Sequence, residues 1–134
     1  MRALVLIAAI AAAGCYNSPT GPDAMSGKPF DLKVGGTAKL PDGTRLIFER
    51  VHSDSRCPMD AICVWAGDAT ISVILDPTGG HVTQTPRELH TQQTGSQISY
   101  DNYTIALTAL APYPKSSHTI RAADYIATFV VSVR

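Results

Sequence analysis

From residue 30 onward the chain alternates between apolar and polar side chains with a period of two, the signature of half-buried strands. Phe30, Leu32 and Val34 alternate with Asp31 and Lys33, and Gly35-Gly36 closes the run. Thr37 to Leu40 predicts a second strand, and Pro41-Asp42-Gly43 turns the chain into a third over Thr44 to Val51, with Leu46 and Phe48 on one face and Arg45 and Glu49 on the other. A loop from His52 to Ala61 precedes the strongest strand pattern of the chain, Cys63 to Leu75, whose positions 69, 71, 73 and 75 predict a core face. After Asp76-Pro77-Thr78-Gly79-Gly80, His81 to Gln84 and Arg87 to Thr91 read as polar edge strands around Pro86, where proline is tolerated. Gln92 to Gln97 reads as a loop. Tyr103 to Leu110 follows, with Tyr103, Ile105, Leu107 and Ala109 sharing a face, and Pro112-Tyr113-Pro114 stops it. Ile120 to Asp124 predicts one helical turn before a last strand carrying Tyr125, Ala127, Phe129, Val131 and Val133 inward.

No window shows a 3.6-residue repeat. Seven or eight short strands with a turn signal about every ten residues predict one all-β domain. We expect a single antiparallel β-sandwich, Ig-like, with a small barrel as the variant. Composition agrees: beyond residue 14, Val, Ile and Thr supply 29 of 120 residues against two Glu and four Lys. That same stretch has ten basic and eleven acidic residues and no run of either sign, which gives no electrostatic footing for nucleic acid.

The first 14 residues break the pattern. Met1-Arg2 leads into an apolar run ending in Ala11-Ala12-Ala13-Gly14, too short to cross a bilayer and shaped like an export signal. Ala12-Ala13-Gly14-Cys15 resembles the bacterial lipobox, in which the cysteine is acylated and becomes the mature N-terminus; ordinary cleavage after Ala13 is the alternative. Two acyl chains on Cys15 would anchor the protein to membrane lipid. Tyr16, in place of an inner-membrane-retaining Asp, directs the expectation to the outer membrane. The expected organisation is therefore a signal at 1–14, a lipidated N-terminus and tether at 15–27, and the sandwich at 28–134.

The most distinctive stretch is Asp54-Ser55-Arg56-Cys57-Pro58-Met59-Asp60-Ala61-Ile62-Cys63-Val64-Trp65-Ala66-Gly67. In an oxidising compartment Cys57 and Cys63 are expected to pair, leaving Cys15 for lipid and no orphan thiol. Asp-Ser-Arg-Cys-Pro, four residues, then Cys-Val-Trp-Ala-Gly resembles the signature of a family of uncharacterised bacterial lipoproteins and secreted proteins. Gly43-Thr44-Arg45-Leu46 with Phe48, Pro112-Tyr113-Pro114 and Asp124-Tyr125 extend the resemblance over most of the domain. It implies export, a disulfide and a β domain, and no substrate.

Trp65 shares a face with Ala69, Ile71 and Val73 if the strand is unbroken, which predicts a core tryptophan; a bulge at Gly67 would instead expose the indole. Arg56, close in sequence to Asp54, Asp60 and Asp68, either locks the loop or offers its guanidinium to an anionic partner. His52, Cys57, Met59 and Cys63 would suit a soft metal only with both thiols free, so no metal or cofactor is expected. His81, His90 and His118 have no second ligand at a diagnostic spacing, and no catalytic motif is present. The expectation is a non-enzymatic envelope lipoprotein presenting loop 54–62, with Arg56, Met59 and Asp60 as candidate binding residues, to an envelope protein or glycan. Protease inhibition through that loop is the alternative, and an enzyme built from His52, His90 and aspartates is a weaker third.

Overall fold

The computed structural model describes residues 22–24, 26–77 and 86–134. The expected signal, Cys15, most of the expected tether and the strand expected at His81 to Gln84 lie outside the described residues. Eight strands form: β1 (Pro29–Lys33), β2 (Thr37–Lys39), β3 (Arg45–Asp54), β4 (Ala69–Asp76), β5 (Arg87–His90), β6 (Gln97–Tyr100), β7 (Tyr103–Ala111) and β8 (Ile126–Val133), with a 3-10 turn at Ala122–Asp124. They make two four-stranded antiparallel sheets, β1-β8-β7-β6 and β2-β3-β4-β5, and neither closes into a barrel. The fold is an all-β sandwich.

The two sheets bury the residues that the period-two pattern points inward: Leu32, Leu46, Phe48, Ala69, Ile71, Val73, Leu75, Ile105, Leu107, Ala127, Phe129 and Val131. Phe48 of one sheet meets Phe129 of the other edge to face at 6.1 Å between ring centres, a favoured aromatic geometry. Removing these side chains from water is the main driving force for closing the sandwich.

Bulges are where the structure departs from strict alternation. A register shift between Leu107 and Ala109 inserts one extra residue into β7, so Ala109, expected inside, is exposed and Leu110 is buried instead. Two further shifts lie in β3, at 48–50 and 51–53, and β3 runs on to Asp54 where a loop from His52 was expected. Val133, at the end of β8, is exposed rather than core. The expected polar loop from Gln92 ends at Ser96, and the stretch after it, where no strand is expected, forms β6, an edge strand whose Ile98 and Tyr100 are only half-buried. The expected tether also ends early: the Ala24 amide donates to the Lys39 carbonyl, the Gly27 amide to the Val131 carbonyl, and Ala24 is buried in the core.

The largest correction concerns the fourth strand. Regular pairing begins at Ala69, not Cys63, so Cys63 to Asp68 stands off the sheet. The segment 55–68 leaves and re-enters the sandwich at one pole, where the ends of β3, β5 and β7 and the starts of β4 and β8 converge.

Candidate functional site

Loop 55–68 is built on a buried charge cluster. The Arg56 guanidinium donates through Nε (2.8 Å) and Nη2 (2.7 Å) to the two carboxylate oxygens of Asp54, and the Tyr125 hydroxyl donates to the same carboxylate at 2.9 Å. Its remaining donors reach across to the other sheet, Nη1 to the Leu110 carbonyl at 2.6 Å and Nη2 to the Pro112 carbonyl at 3.1 Å. The guanidinium also lies 4.9 Å from the centre of the Tyr113 ring, within cation–π range. Of the two roles open to Arg56, the structure shows the lock, and it corrects the place of this residue among the exposed binding candidates. Its partner is Asp54 alone: Asp60 accepts from the Ser116 amide and hydroxyl instead, and Asp68 faces His90.

Burial alone would raise the Asp54 carboxyl, but hydrogen bonds from the Arg56 side chain, Tyr125 and the Arg56 amide outweigh it and hold the group below its ordinary value. The same contact acts oppositely on its donor. Burial and then the hydrogen bond to Asp54 push the Tyr125 hydroxyl up to about 12. The buried ions are thus paired and hydrogen-bonded, the condition under which charge is tolerated away from water.

At the re-entry point, Asp68 fastens the loop to the end of β5. Its carboxylate accepts from His90 Nδ1 at 2.6 Å, from the Thr91 amide and hydroxyl, and from the Gln92 amide. Burial raises this carboxyl, while the His90, Gln92 and Thr91 hydrogen bonds lower it further, so it too stays below its ordinary value. Two backbone bonds close the neck of the loop, from the Ser55 amide to the Asp68 carbonyl and from the Cys57 amide to the Ala66 carbonyl. Gly67 is required there. Its φ is +71°, and a β-carbon would stand 1.9 Å from the Ser55 carbonyl oxygen.

Beyond the neck, Cys57 and Cys63 are joined by a disulfide, so neither thiol is free for the soft-metal site considered with His52 and Met59. Among the described residues, no group of three or more His, Cys, Asp or Glu side chains is placed to hold a metal ion. Of the set His52, His90 and aspartates, the structure joins His90 to Asp68. His52 and His118 are exposed, and His81 lies outside the described residues.

The tip inverts the usual order of the surface. Met59 is 61% exposed, Ile62 104%, Val64 91% and Trp65 81%, and Tyr113 beside the base is half exposed. Trp65 is therefore not a core residue: with the strand starting at Ala69 and Gly67 bending the chain, the indole projects away from the sandwich. The Met59 amide donates to the Pro114 carbonyl, so the tip is also tied to the segment after β7. An open cleft of about 410 Å³ adjoins the base, lined by Arg56, Gly67, Gln92, Leu107, Ala109 and Tyr113 among others.

Asp54 to Cys57, Ala66-Gly67, Pro112-Tyr113-Pro114 and Tyr125, scattered pieces of the motif read from the sequence, thus meet at one pole; Gly43 to Leu46 lies at the other. Val64 and Ile62 as exposed tip residues and Tyr125 as the partner of Asp54 were not anticipated, whereas exposure of Trp65 is the alternative named for a break at Gly67. Gly67 itself was the available signal for Trp65, and a pair 71 residues apart leaves no local signal for Tyr125. Comparison with family models, curated proteins and solved structures finds no match for this chain.

Proposed function

We propose that this protein is an exported, non-enzymatic lipoprotein of the bacterial envelope, anchored through Cys15, whose sandwich serves as a rigid mount for a docking loop. One observation carries the docking part of the reading: Met59, Ile62, Val64 and Trp65 are exposed together on a loop locked at its base by Arg56 and closed by a disulfide. Single exposed apolar residues need no explanation, but four within seven residues of one loop concentrate apolar surface in the way interaction sites do. A loop held in one conformation loses little freedom on binding, and full burial of each such side chain stabilises a complex by about 1.5–3 kcal/mol before the costs of association. Asp60, fixed by Ser116 at the rim, adds a placed acceptor.

Export and the lipid anchor rest on the signal-like N-terminus and Ala12-Ala13-Gly14-Cys15, and the outer membrane on Tyr16. The resemblance to uncharacterised bacterial lipoproteins points the same way. An inhibitory loop led by Arg56 has less support, because that side chain is buried and its donors are engaged within the domain.

Intact mass of the protein purified from membranes of a bacterium that processes lipoproteins tests the anchor; the expected species starts at Cys15, heavier by its acyl groups and lighter by two hydrogens for the bridge. Crosslinking in those cells tests the loop. Adducts of the wild-type chain should disappear in Ile62→Ser/Trp65→Ser while its melting temperature is kept, and adducts surviving in the folded double variant would refute the docking assignment.

A further inference from the structure

We infer that the tip faces away from the anchoring membrane and engages a protein standing off that bilayer; this rests on the lipoprotein reading above. The register of the sheets carries the inference. Residues 22–24 run beside Lys39, whose partner Arg45 opens β3, and Gly27 bonds to Val131 near the end of β8. The loop sits at the opposite pole, where β3 ends at Asp54 and Tyr125 precedes β8. Because β3 carries two bulges, the distance is read on β4, where seven residue steps from Asp76 to Ala69 at about 3.3 Å each span about 23 Å, and the Ser55–Asp68 and Cys57–Ala66 bonds carry the loop further outward. From Cys15 to Pro22 there are seven steps, and a chain fully extended at about 3.6 Å per step reaches no more than about 25 Å.

An anchor at Cys15 therefore holds the near pole against the lipid and turns the tip outward. Bringing the tip into the same bilayer would require the domain to invert on its tether or lie on a side. The sides carry charge: Asp31, Lys33, Arg50 and His52 are exposed on the sheets, beside the half-buried Ile47, Ile74 and Val130. The tip also has no surplus of basic side chains to attract anionic headgroups, since Lys115 is matched by Asp60, and Arg121 is paired with Asp124. The side chains of Met59, Ile62 and Val64 carry no strong hydrogen-bonding group and Trp65 adds a single indole donor, which suits an apolar pocket on a protein better than the hydroxyl-rich face of a glycan.

Trp65 is the single tryptophan of the chain, so its fluorescence reports on the tip alone. The acylated full-length protein is placed in phosphatidylethanolamine/phosphatidylglycerol vesicles containing brominated lipid. Trp65 emission should match that in vesicles without bromine, and strong quenching would overturn the inference in favour of membrane insertion. In parallel, a photocrosslinking residue is placed at Ile62 or at Asp42 of the near pole in cells producing the lipoprotein. A discrete protein adduct from position 62, absent from position 42 and lost with Trp65→Ser, is expected; adducts from both positions, from 42 alone, or from neither would overturn it. An unacylated chain, read separately by mass, would remove the anchor reading and this geometry with it.

Discussion

The base and the tip of loop 55–68 are opposites, and the contrast separates what stabilises the loop from what it presents. At the base a carboxylate, a guanidinium and a phenol are withdrawn from water among the strand ends of both sheets. A few residues away, the largest apolar side chains of the same loop stand in solvent. Folding alone favours the reverse arrangement, since burying charge is costly and exposing apolar surface forgoes the hydrophobic gain. The base is satisfied by pairing, because each buried group finds partners within the domain. Among the described residues the tip has no such compensation, which is why we propose it as the docking surface and the base as its support.

This contrast can be broken from either side. The largest effect should come from Arg56→Ala, which strands the Asp54 carboxylate and frees the Leu110 and Pro112 carbonyls. A loss of about 3–5 kcal/mol by denaturant unfolding is expected, as for other broken buried pairs. Gly67→Ala should cost about 1–3 kcal/mol through its positive φ, with the clash against Ser55 adding to it and the neck bonds of Ser55 and Cys57 losing protection in hydrogen exchange. Cys57→Ser/Cys63→Ser removes a small ring and should cost about 2 kcal/mol, with circular dichroism of the sandwich retained.

Tyr125→Phe should cost about 1 kcal/mol at neutral pH. Its pH signature is more specific. The hydroxyl is raised from 10.0 to about 12 in the folded protein, so the stability it contributes is fully present below pH 10 and is lost as pH rises from 10 toward 12. Wild-type stability should therefore fall across that window more steeply than that of Tyr125→Phe, and parallel curves would remove Tyr125 from the cluster. Trp65→Ala should have the smallest effect on folding, within about 0.5 kcal/mol, while removing partner adducts.

The sequence reading succeeds where structure is local and regular. Leu46 and Phe48 in β3, positions 69 to 75 in β4 and Phe129 with Val131 in β8 are buried as their alternation predicts. Alternation cannot announce a bulge, so Ala109 and Leu110 exchange places. It also cannot tell an apolar strand from an apolar loop, and Cys63-Val64-Trp65 continues the hydrophobic run of β4 without belonging to it. Gly67 was the one local sign of the break. The Arg56 lock was half legible: Asp54 is two residues away, whereas the Leu110 and Pro112 carbonyls and Tyr125 arrive through the stacking of the sheets. The disulfide was legible because the expected export and cysteine arithmetic suffice to predict it.

Whether apolar residues are truly outside the fold is tested most directly by Trp65 fluorescence of the purified domain in buffer. The account predicts the emission maximum of an indole in water, full access to acrylamide, and little shift when guanidinium unfolds the protein. A blue-shifted, shielded emission that moves red on unfolding would place Trp65 in the core and contradict the docking tip.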